Sequence, residues 1–540
     1  MTDRWTPAQL SGTIRWVLAV EYAGGTWYLC DEALTIDDGA GGSVVLSDGL
    51  LDVGDTVESI DLWATESPRR SCQIAFDLGI DVAALIEEGH DLAGCVAELA
   101  QLADGDAWSN RRPFVRGRLV EPQYGAQGEG VQASIEQDVL TDESTIDALV
   151  ATRQEIADAL VAAGYTLAGI NAGDDVTVPI VLGAPAGGES GSTRAVGVCT
   201  VLGASLYTAY TLAAHAVQAT TVTLINPQDG TSVAVPVVSV TLASGAVVSV
   251  ALDDLAAATW TQTLSPAVSW GTGAGLVVEG LGAVSTAGDF IAWLLSLTEA
   301  QVDHARLNLA REQLRAFAFA TYIDESVSVA EYIREAVLDI VPVSMMVGPR
   351  GVYPLVWRWD ATELDAVAYL DLTADLDIAR ESVVTYEDAD RIANTVQLLY
   401  GWRPRAESYA FEMWAVGDPA SRPRGLRFGG ATSLSLSYWS DPVLARSTVR
   451  YGVRRDALES AIIHDDLTAS RVLAWRSRRW ALPSRVVEYS APQTWAWVEP
   501  GDYITVTDPD LAWVKRLCLV QSRAWAADGS VRYTLRVQEG

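Results

Sequence analysis

Short runs in which apolar and polar residues alternate recur along most of the chain, and this period of two predicts β-strands. Near the amino end, a run over 13–22 is followed by Ala23-Gly24-Gly25 and a second run over 26–30, which predicts a β-hairpin. Further strands are expected at 57–63, 71–78, 114–122, 176–183, 317–323, 341–347, 352–357 and 394–401. We therefore expect a chain rich in antiparallel sheet.

Helical periodicity is confined to fewer stretches. Apolar residues with helical spacing predict a helix over 142–164, with Asp142 or Ser144 as its N-cap. Other helices are expected at 82–99, 289–297, 302–309 and 326–337. Sheets with a few packed helices predict an α+β fold that is mainly antiparallel β.

The stretch 465–540 combines both patterns. A helix capped by Asp465 passes through Leu482-Pro483 into a strand over 484–489. Pro500-Gly501-Asp502 then has the residues of a turn between two runs of strand formers, and further strands follow. The expected product is a helix packed on a small antiparallel sheet.

Length and composition indicate a folded protein of several domains. A domain usually has ~100–200 residues, and the chain has 540, of which 49% are hydrophobic and 20% charged. Between 201 and 279 the composition shifts to Ala, Val, Thr and Ser, in strand-like runs with turn signals between them. This shift predicts a small β domain inserted in the chain.

The charge is strongly acidic, because 37 basic residues are outnumbered by 70 acidic ones and the net charge is −33. Phosphate backbones bind to clustered lysine and arginine, so sequence-specific nucleic-acid binding is not expected. The five cysteines lack metal-binding spacing, and reduced, mostly buried thiols are expected. The amino terminus lacks a signal-peptide pattern, and the most apolar helical stretch, 290–295, is too short for a membrane span. We expect synthesis in the cytosol and no membrane span.

Candidate catalytic and metal-binding residues are few. His464 lies beside Asp465 and Asp466 and could act as a base, but an exposed or capping histidine is the simpler interpretation, since no partner is suitably spaced. Asp37 and Asp38 could begin a calcium loop, but the remaining oxygen ligands are missing, which favours a plain turn. We predict no cofactor and no metal site, and we expect that the chain is not an enzyme.

Tryptophan and arginine are crowded into the last part of the chain. Indoles stack on sugar rings, which would indicate a carbohydrate site, but they are equally typical of cores and subunit interfaces. For the arginines, a solvated helix face and an interface with acidic partners both stay open, the second because guanidinium pairs bidentately with carboxylate. The residues predicted at a subunit interface are Arg471, Trp475, Arg476, Arg479, Trp480, Trp495 and Trp497.

Five stretches occur in an order that carries further information. They are the strand 114–122, which ends in Glu-Pro; the Pro-Ile-x-x-Gly strand 176–183; the strand, Ser-capped helix and hairpin of 317–357; the strand 394–401; and the closing unit 465–540. In this order they resemble elements of the tail-tip or baseplate hub proteins of tailed bacteriophages.

This resemblance implies two hub-type β-barrel or sheet domains with packed helices and a small inserted β domain. The implied boundaries are 1–140 for a first hub β domain with a helical insertion, 141–200 for a helix with a connecting strand and loop, 201–280 for the inserted β domain, 281–375 for an α/β hub domain, and 376–540 for a second hub β-barrel domain with a C-terminal helix and hairpin.

The resemblance also implies a structural protein of the virion, located at the tail tip. Such a protein would be a homotrimer that joins the tail tube and distal tail protein to a central fibre or spike, contacts the tape measure protein and lets DNA pass through its lumen. Two alternatives stay open: a receptor- or carbohydrate-binding tail protein that uses 201–280, and a tail-associated peptidoglycan hydrolase.

Overall fold

The computed structural model describes residues 5, 7–22, 24–54, 57–59, 70–79, 91–125, 130–137, 144–173, 175–185, 195–203, 205–217, 222–226, 231–254, 267–270, 275–348, 350–358, 360–375, 377–387, 389–403, 408–417, 435–525 and 530–538. These residues form an α+β fold that is mainly antiparallel β, with 49% strand and 20% helix. The fold class expected from the alternation of apolar and polar residues is therefore confirmed.

The amino-terminal part folds into a seven-stranded antiparallel sheet. Its elements are α1 (Pro7–Leu10), β1 (Ile14–Tyr22), β2 (Gly25–Cys30), β3 (Leu34–Asp37), β4 (Ser43–Leu46), β5 (Leu50–Val53), β6 (Val57–Ser59), β7 (Arg70–Phe76), β8 (Val96–Ala103), β9 (Arg112–Tyr124) and β10 (Val131–Gln137). The sheet order is β2-β1-β8-β9-β10-β7-β5, and β3 pairs with β4. Because Ser47 exchanges backbone hydrogen bonds with Tyr28 and Cys30, the segment before β5 lies along β2 and the sheet nearly closes.

The predicted hairpin at 13–30 is confirmed by the antiparallel pairing of β1 with β2. The helix expected at 82–99 is wrong at its carboxyl end, since Val96 and Leu99 lie in strand β8; residues 82–90 lie outside the described part. Strand β8 pairs with β1 and β9, and nearly all of its side chains are buried. A strand that is apolar on both faces lacks the alternation by which strands are recognised.

The middle part contains a five-stranded sheet, a three-stranded sheet and several two-stranded pairs. Its elements are β11 (Thr145–Ile146), β12 (Leu149–Thr152), α2 (Arg153–Ala162), β13 (Thr166–Ile170), β14 (Asp175–Val178), β15 (Ile180–Leu182), β16 (Val196–Leu202), β17 (Leu206–Ala213), β18 (Val222–Ile225), β19 (Ser232–Ala234), β20 (Val237–Thr241), β21 (Val247–Asp254), β22 (Ala267–Trp270), β23 (Val277–Val278) and β24 (Gly282–Ala283). The sheet orders are β13-β16-β17-β21-β20 and β19-β18-β22. The division into five domains stays a prediction, and the five-stranded sheet contains strands from both sides of residue 200.

The helix expected over 142–164 is wrong in its first half. Strands β11 and β12 occupy that half, and α2 begins only at Arg153. The reason is a capping box: the Thr152 hydroxyl accepts from the Glu155 backbone N–H at 3.1 Å, and the Glu155 carboxylate accepts from the Thr152 N–H at 2.8 Å. This box sets the helix start, while β12 gains a partner in β14.

The following part packs helices against a hairpin. Its elements are α3 (Ala287–Ser296), α4 (His304–Gln313), β25 (Thr321–Ile323), β26 (Val327–Ser328), α5 (Val329–Tyr332), β27 (Val343–Gly348) and β28 (Gly351–Val356). Ser328 caps α5, as expected for a Ser-capped helix, and the helix continues as a π-helix over Ile333–Leu338. Strand β11 pairs with β26 and β15 with β25, so this part is continuous with the middle part.

The carboxyl-terminal part contains the largest sheet. Its elements are β29 (Ala368–Asp371), β30 (Ala379–Arg380), β31 (Thr385–Glu387), β32 (Thr395–Arg403), β33 (Ser408–Val416), β34 (Ser435–Ser440), α6 (Pro442–Tyr451), β35 (Arg455–Glu459), α7 (Asp466–Trp480), β36 (Ser484–Ala491), β37 (Tyr503–Asp508), β38 (Trp513–Trp525) and β39 (Val531–Val537). The eight-stranded sheet has the path β29-β37-β38-β39-β36-β30, with β31 on β36 and β6 on β38. A four-stranded sheet has the order β34-β33-β32-β35.

The turn predicted at Pro500-Gly501-Asp502 is confirmed. Gly501 has φ +93°, a value that favours glycine, and its N–H donates to the Val520 carbonyl. The helix predicted from Asp465 is confirmed as well, because that carboxylate accepts from the Thr468 N–H at 2.8 Å. These two local signals define the unit that contains the candidate site.

Two ionic contacts connect distant parts of the chain. Strand β6, from the amino-terminal part, pairs with β38, and there the Glu58 carboxylate accepts from the Arg523 guanidinium. Arg306 of α4 pairs with Glu499 at 3.1 Å, before the Gly501 turn. Amino-terminal, helical and carboxyl-terminal segments therefore meet around these charges.

Candidate functional site

Helix α7 carries most of the residues predicted at an interface, and it packs on the four-stranded sheet. Asp465 sets its start. Apolar residues at helical spacing, among them Ala469, Val472 and Leu473, are fully buried. The inner face of α7 is therefore part of the largest hydrophobic core of the described chain.

The two tryptophans of α7 lie inside the chain. Trp475 is 2% exposed and Trp480 7% exposed. The Trp475 ring meets the Trp357 ring edge to face, with centroids 5.7 Å apart. The Arg479 guanidinium lies 4.1 Å from the Trp480 ring centroid and 5.3 Å from that of Trp357. These indoles therefore act in the core of the monomer.

The arginines of α7 bind to other elements of the same chain. Arg476 pairs with Asp339 at 2.7 Å and with Asp456 at 3.2 Å. Arg479 donates to the Ser484 hydroxyl at 3.0 Å, and Arg471 donates to the Ala316 carbonyl. Each contact fixes α7 to a different neighbour, so the arginine cluster braces this unit from within.

Trp495 and Trp497 lie apart from the α7 cluster. Both are half-buried against the core of the eight-stranded sheet. The Trp495 carbonyl accepts from the Tyr533 hydroxyl at 2.6 Å, and the Arg523 guanidinium donates to the carbonyls of Ala496 and Val498 at either side of Trp497. The seven predicted interface residues therefore form two groups, and their role between subunits stays a prediction.

A cleft of about 380 Å³ opens beside the α7 arginines. Its wall combines indole rings with guanidinium and carboxylate groups. It is lined by Leu338, Asp339, Val343, Trp357, Asp390, Arg391, Ile392, Ala393, Arg455, Asp456, Trp475, Arg476 and Trp480. Its chemistry is mixed, since the Arg476 charge is neutralised by Asp339 and Asp456.

The cleft does not offer the flat aromatic face that a sugar ring needs. Stacking on a pyranose requires one exposed indole face. Here Trp475 is covered by Trp357, and Trp480 is covered by Arg479. The carbohydrate interpretation of the α7 tryptophans therefore gains no support from the cleft.

The candidate base His464 is surrounded by groups with structural roles. Its Nε2 lies 3.1 Å from the Ala461 carbonyl oxygen. Asp465 caps α7, and Asp466 accepts from the Tyr400 hydroxyl at 2.5 Å. Burial and then this hydrogen bond raise the pKa of Tyr400 well above its ordinary value. Asp465 and Asp466 are therefore both occupied by structural hydrogen bonds.

The two aspartates of the possible calcium loop accept hydrogen bonds from nearby backbone N–H groups. Asp37 accepts from the Gly39 N–H, and Asp38 accepts from the N–H groups of Ala40 and Gly42. These backbone hydrogen bonds hold the pKa of Asp38 below its ordinary value. These hydrogen bonds form the turn that the sequence predicts. The described residues contain no group of three or more side chains placed to hold a metal ion.

The cysteines lie mostly in the interior, as expected. Cys30, Cys72, Cys199 and Cys518 are buried as free thiols, and Cys95 is half-buried. Burial raises the pKa of the Cys199 thiol to about 11. None of the helices in the described part has the length and apolarity needed to cross a membrane.

Sequence reasoning missed the partners that complete the α7 unit. Trp357, Asp339 and Asp456 come from three other elements, and each precedes α7 in the chain. Only the spacing within α7 could have indicated the arrangement, since Val472, Trp475 and Arg479 follow one helical face. Contacts between segments that are distant in the sequence produce no such spacing pattern.

The protein is thus rich in β-structure, and its helix α7 is held against other segments of the same chain by arginine and tryptophan side chains. Within this unit, residues 433–518 match the model of a family described as a putative phage tail protein. This match supports the class of phage tail protein. No curated protein sequence matches the chain.

Solved structures give weaker likenesses. The tail protein from Neisseria meningitidis MC58 is 10% identical, with 97% of this chain and 96% of that chain covered and a TM-score of 0.33. The 43 kDa tail protein of prophage MuSo2 from Shewanella oneidensis is 10% identical, with 97% and 98% covered and a TM-score of 0.31. A chain of the virion of a native gene transfer agent particle is 13% identical, with 69% and 87% covered and a TM-score of 0.37.

Proposed function

We propose that this chain is a structural hub at the tip of a phage or phage-like tail. The observation that carries the proposal is the match of 433–518 to the putative phage tail protein family. In the structure this stretch includes α6, α7 and the strands from β35 to β37. The hub would be a homotrimer that joins the tail tube and distal tail protein to a central fibre or spike and contacts the tape measure protein.

The contacts that hold α7 in place support a structural role. Arg471 contacts the Ala316 carbonyl and Arg476 pairs with Asp339, and both partners precede α7 by more than a hundred residues. Arg476 also pairs with Asp456, which lies nearer in the sequence. The contact of Glu58 with Arg523 ties strand β6 to β38. Such contacts between distant segments would keep the subunit rigid under force from adjacent subunits of the particle.

The acidic charge is suited to a passage for DNA. With a net charge of −33, a lumen lined by this chain would repel the phosphate backbone and let DNA slide. A cryo-EM reconstruction of the assembled chain would test this point. A channel lined mainly by arginine would contradict it.

Location in the particle tests the proposal as a whole. Antibodies against the purified chain, coupled to gold, should label one end of the tail in particles viewed by electron microscopy. Mass photometry of the purified chain should show a trimer. Label along the full tail would leave a tail protein but contradict the hub, and absence from purified particles would contradict both.

A further inference from the structure

One exposed surface is rich in arginine. Residues 442–455 contain Arg446, Arg450, Arg454 and Arg455 and no carboxylate, in a chain with 37 basic and 70 acidic residues. All four side chains are exposed. Arg476 and Arg478 of α7 pair with aspartates, but in the described part of the chain Arg450, Arg454 and Arg455 make no ion pair.

Apolar side chains lie among these arginines. Val449 is 90% exposed and Val453 47% exposed. Arg446, Val449 and Arg450 follow the spacing of one helix face, opposite the buried Leu444 of α6. A surface that combines exposed guanidinium groups with exposed valines has a composition typical of an interface. We name Arg446, Val449, Arg450, Val453, Arg454 and Arg455 the basic face.

A second surface has the complementary composition. Residues 360–377 contain six carboxylates and no basic residue. Leu364 is 96% exposed, Val367 42% and Tyr369 40%. Two of the carboxylates, Asp360 and Asp365, pair with Arg358, whereas Glu363 makes no ion pair within the described residues. We name Glu363, Leu364, Val367, Tyr369, Asp371 and Asp377 the acidic face.

We propose that the basic face of one copy of this chain binds the acidic face of a second copy. Charge complementarity and the exposed apolar residues on both faces favour this occupant. Within one chain the faces do not cover each other, since Val449 and Leu364 remain almost fully exposed. A contact between two different faces is heterologous, so it repeats from copy to copy and gives a ring when the rotation between copies closes.

The proposal rests on the self-association of the proposed hub and assigns its surfaces. It differs from the interface predicted from the sequence, whose α7 arginines contact their own chain. Because the contact is charged at its rim, association should weaken as the salt concentration rises.

Charge-reversed variants test the contact by mixing. The basic-face variant is Arg450→Glu with Arg454→Glu, and the acidic-face variant is Glu363→Arg with Asp377→Arg. Like charges in contact cost several kcal/mol, so each variant should associate at least about a hundredfold more weakly and be monomeric by light scattering. An equimolar mixture should associate again, because the unchanged acidic face of one variant meets the unchanged basic face of the other, and the two reversed faces are also opposite in charge. All four substitutions in one chain should restore the wild-type oligomer.

Arg315→Glu with Arg334→Glu is the matched control, since it changes the charge equally on exposed arginines elsewhere. This control should keep the wild-type size. If both face variants keep that size, or if their mixture stays monomeric, the assignment of the faces is wrong while the hub stands. If the wild-type chain is monomeric, the oligomeric hub fails as well.

A second measurement does not depend on charge reversal. Val449→Cys and Leu364→Cys replace highly exposed side chains. A mixture of these two variants should give a crosslinked pair with a short bis-maleimide, whereas each variant alone should give none beyond the wild-type background. No crosslink in the mixture would overturn the proposal.

Discussion

The contact between Glu58 and Arg523 allows the sharpest test of how the chain is held together. Arg523 is 8% exposed and lies where β6 pairs with β38. Its guanidinium donates to the Ala496 carbonyl at 2.5 Å, to the Val498 carbonyl at 3.2 Å and to the Glu58 carboxylate. Burial opposes the charge, but Glu58 and then other acidic groups raise the pKa of Arg523 above its ordinary value. The arginine therefore stays charged and depends on its partner.

The substitution Glu58→Gln removes the charge of this partner and keeps its shape. Removal of one member of a buried ion pair costs about 3–5 kcal/mol. The Glu58 side chain is 18% exposed and two carbonyl acceptors remain, so we expect a smaller loss of about 2–3 kcal/mol. The matched control is Glu32→Gln, whose carboxylate is 60% exposed at 2.9 Å from Arg15 and should cost below about 1 kcal/mol.

Hydrogen exchange read by mass spectrometry is the suitable assay, because a chain of several units does not unfold in one step. In Glu58→Gln, the free energy of exchange for peptides that cover β6 and β38 should fall by about 2–3 kcal/mol. Peptides that cover α2 should exchange as in the wild type. If Glu58→Gln destabilises β38 no more than Glu32→Gln does, the buried pair is not what holds β6 in place.

Three further predictions concern local features. Gly501→Ala should cost more stability than Gly452→Ala, because both positions have positive φ but only at 501 would a Cβ lie 2.7 Å from a leucine side chain; equal losses of hydrogen-exchange protection around the two turns would refute this. Thr152→Ala should lower the protection of α2 by about 1 kcal/mol in hydrogen exchange, whereas Thr152→Ser should not; equal effects would exclude the cap. Burial raises the pKa of Cys199 to about 11, so the unfolded chain loses this proton first and stability should fall from about pH 9 to 11. Cys199→Ala should make the dependence of stability on pH flatter in this range, and an unchanged slope would contradict the assignment.

The elements that the sequence predicts correctly are those with local causes. Asp465 caps its helix and Gly501 turns its hairpin through interactions within a few residues. The helix expected over 142–164 failed because pairing of β12 with β14 and the cap at Thr152 override periodicity. Strand β8 was misread because burial on both faces hides its period. Contacts from far along the chain decide such cases, and a single sequence does not display them.

At the candidate site, too, the sequence alone does not show which charges are paired within the chain. Counting arginines selects α7, where Arg471, Arg476 and Arg479 lie close together in the sequence. The structure shows that Arg476 is neutralised by aspartates from two other segments, so its charge is not available to a partner. What matters for association is therefore the charge left after internal pairing. By this criterion Arg450 and Arg454, which looked no different in the sequence, become the arginines to which an acidic neighbour would bind.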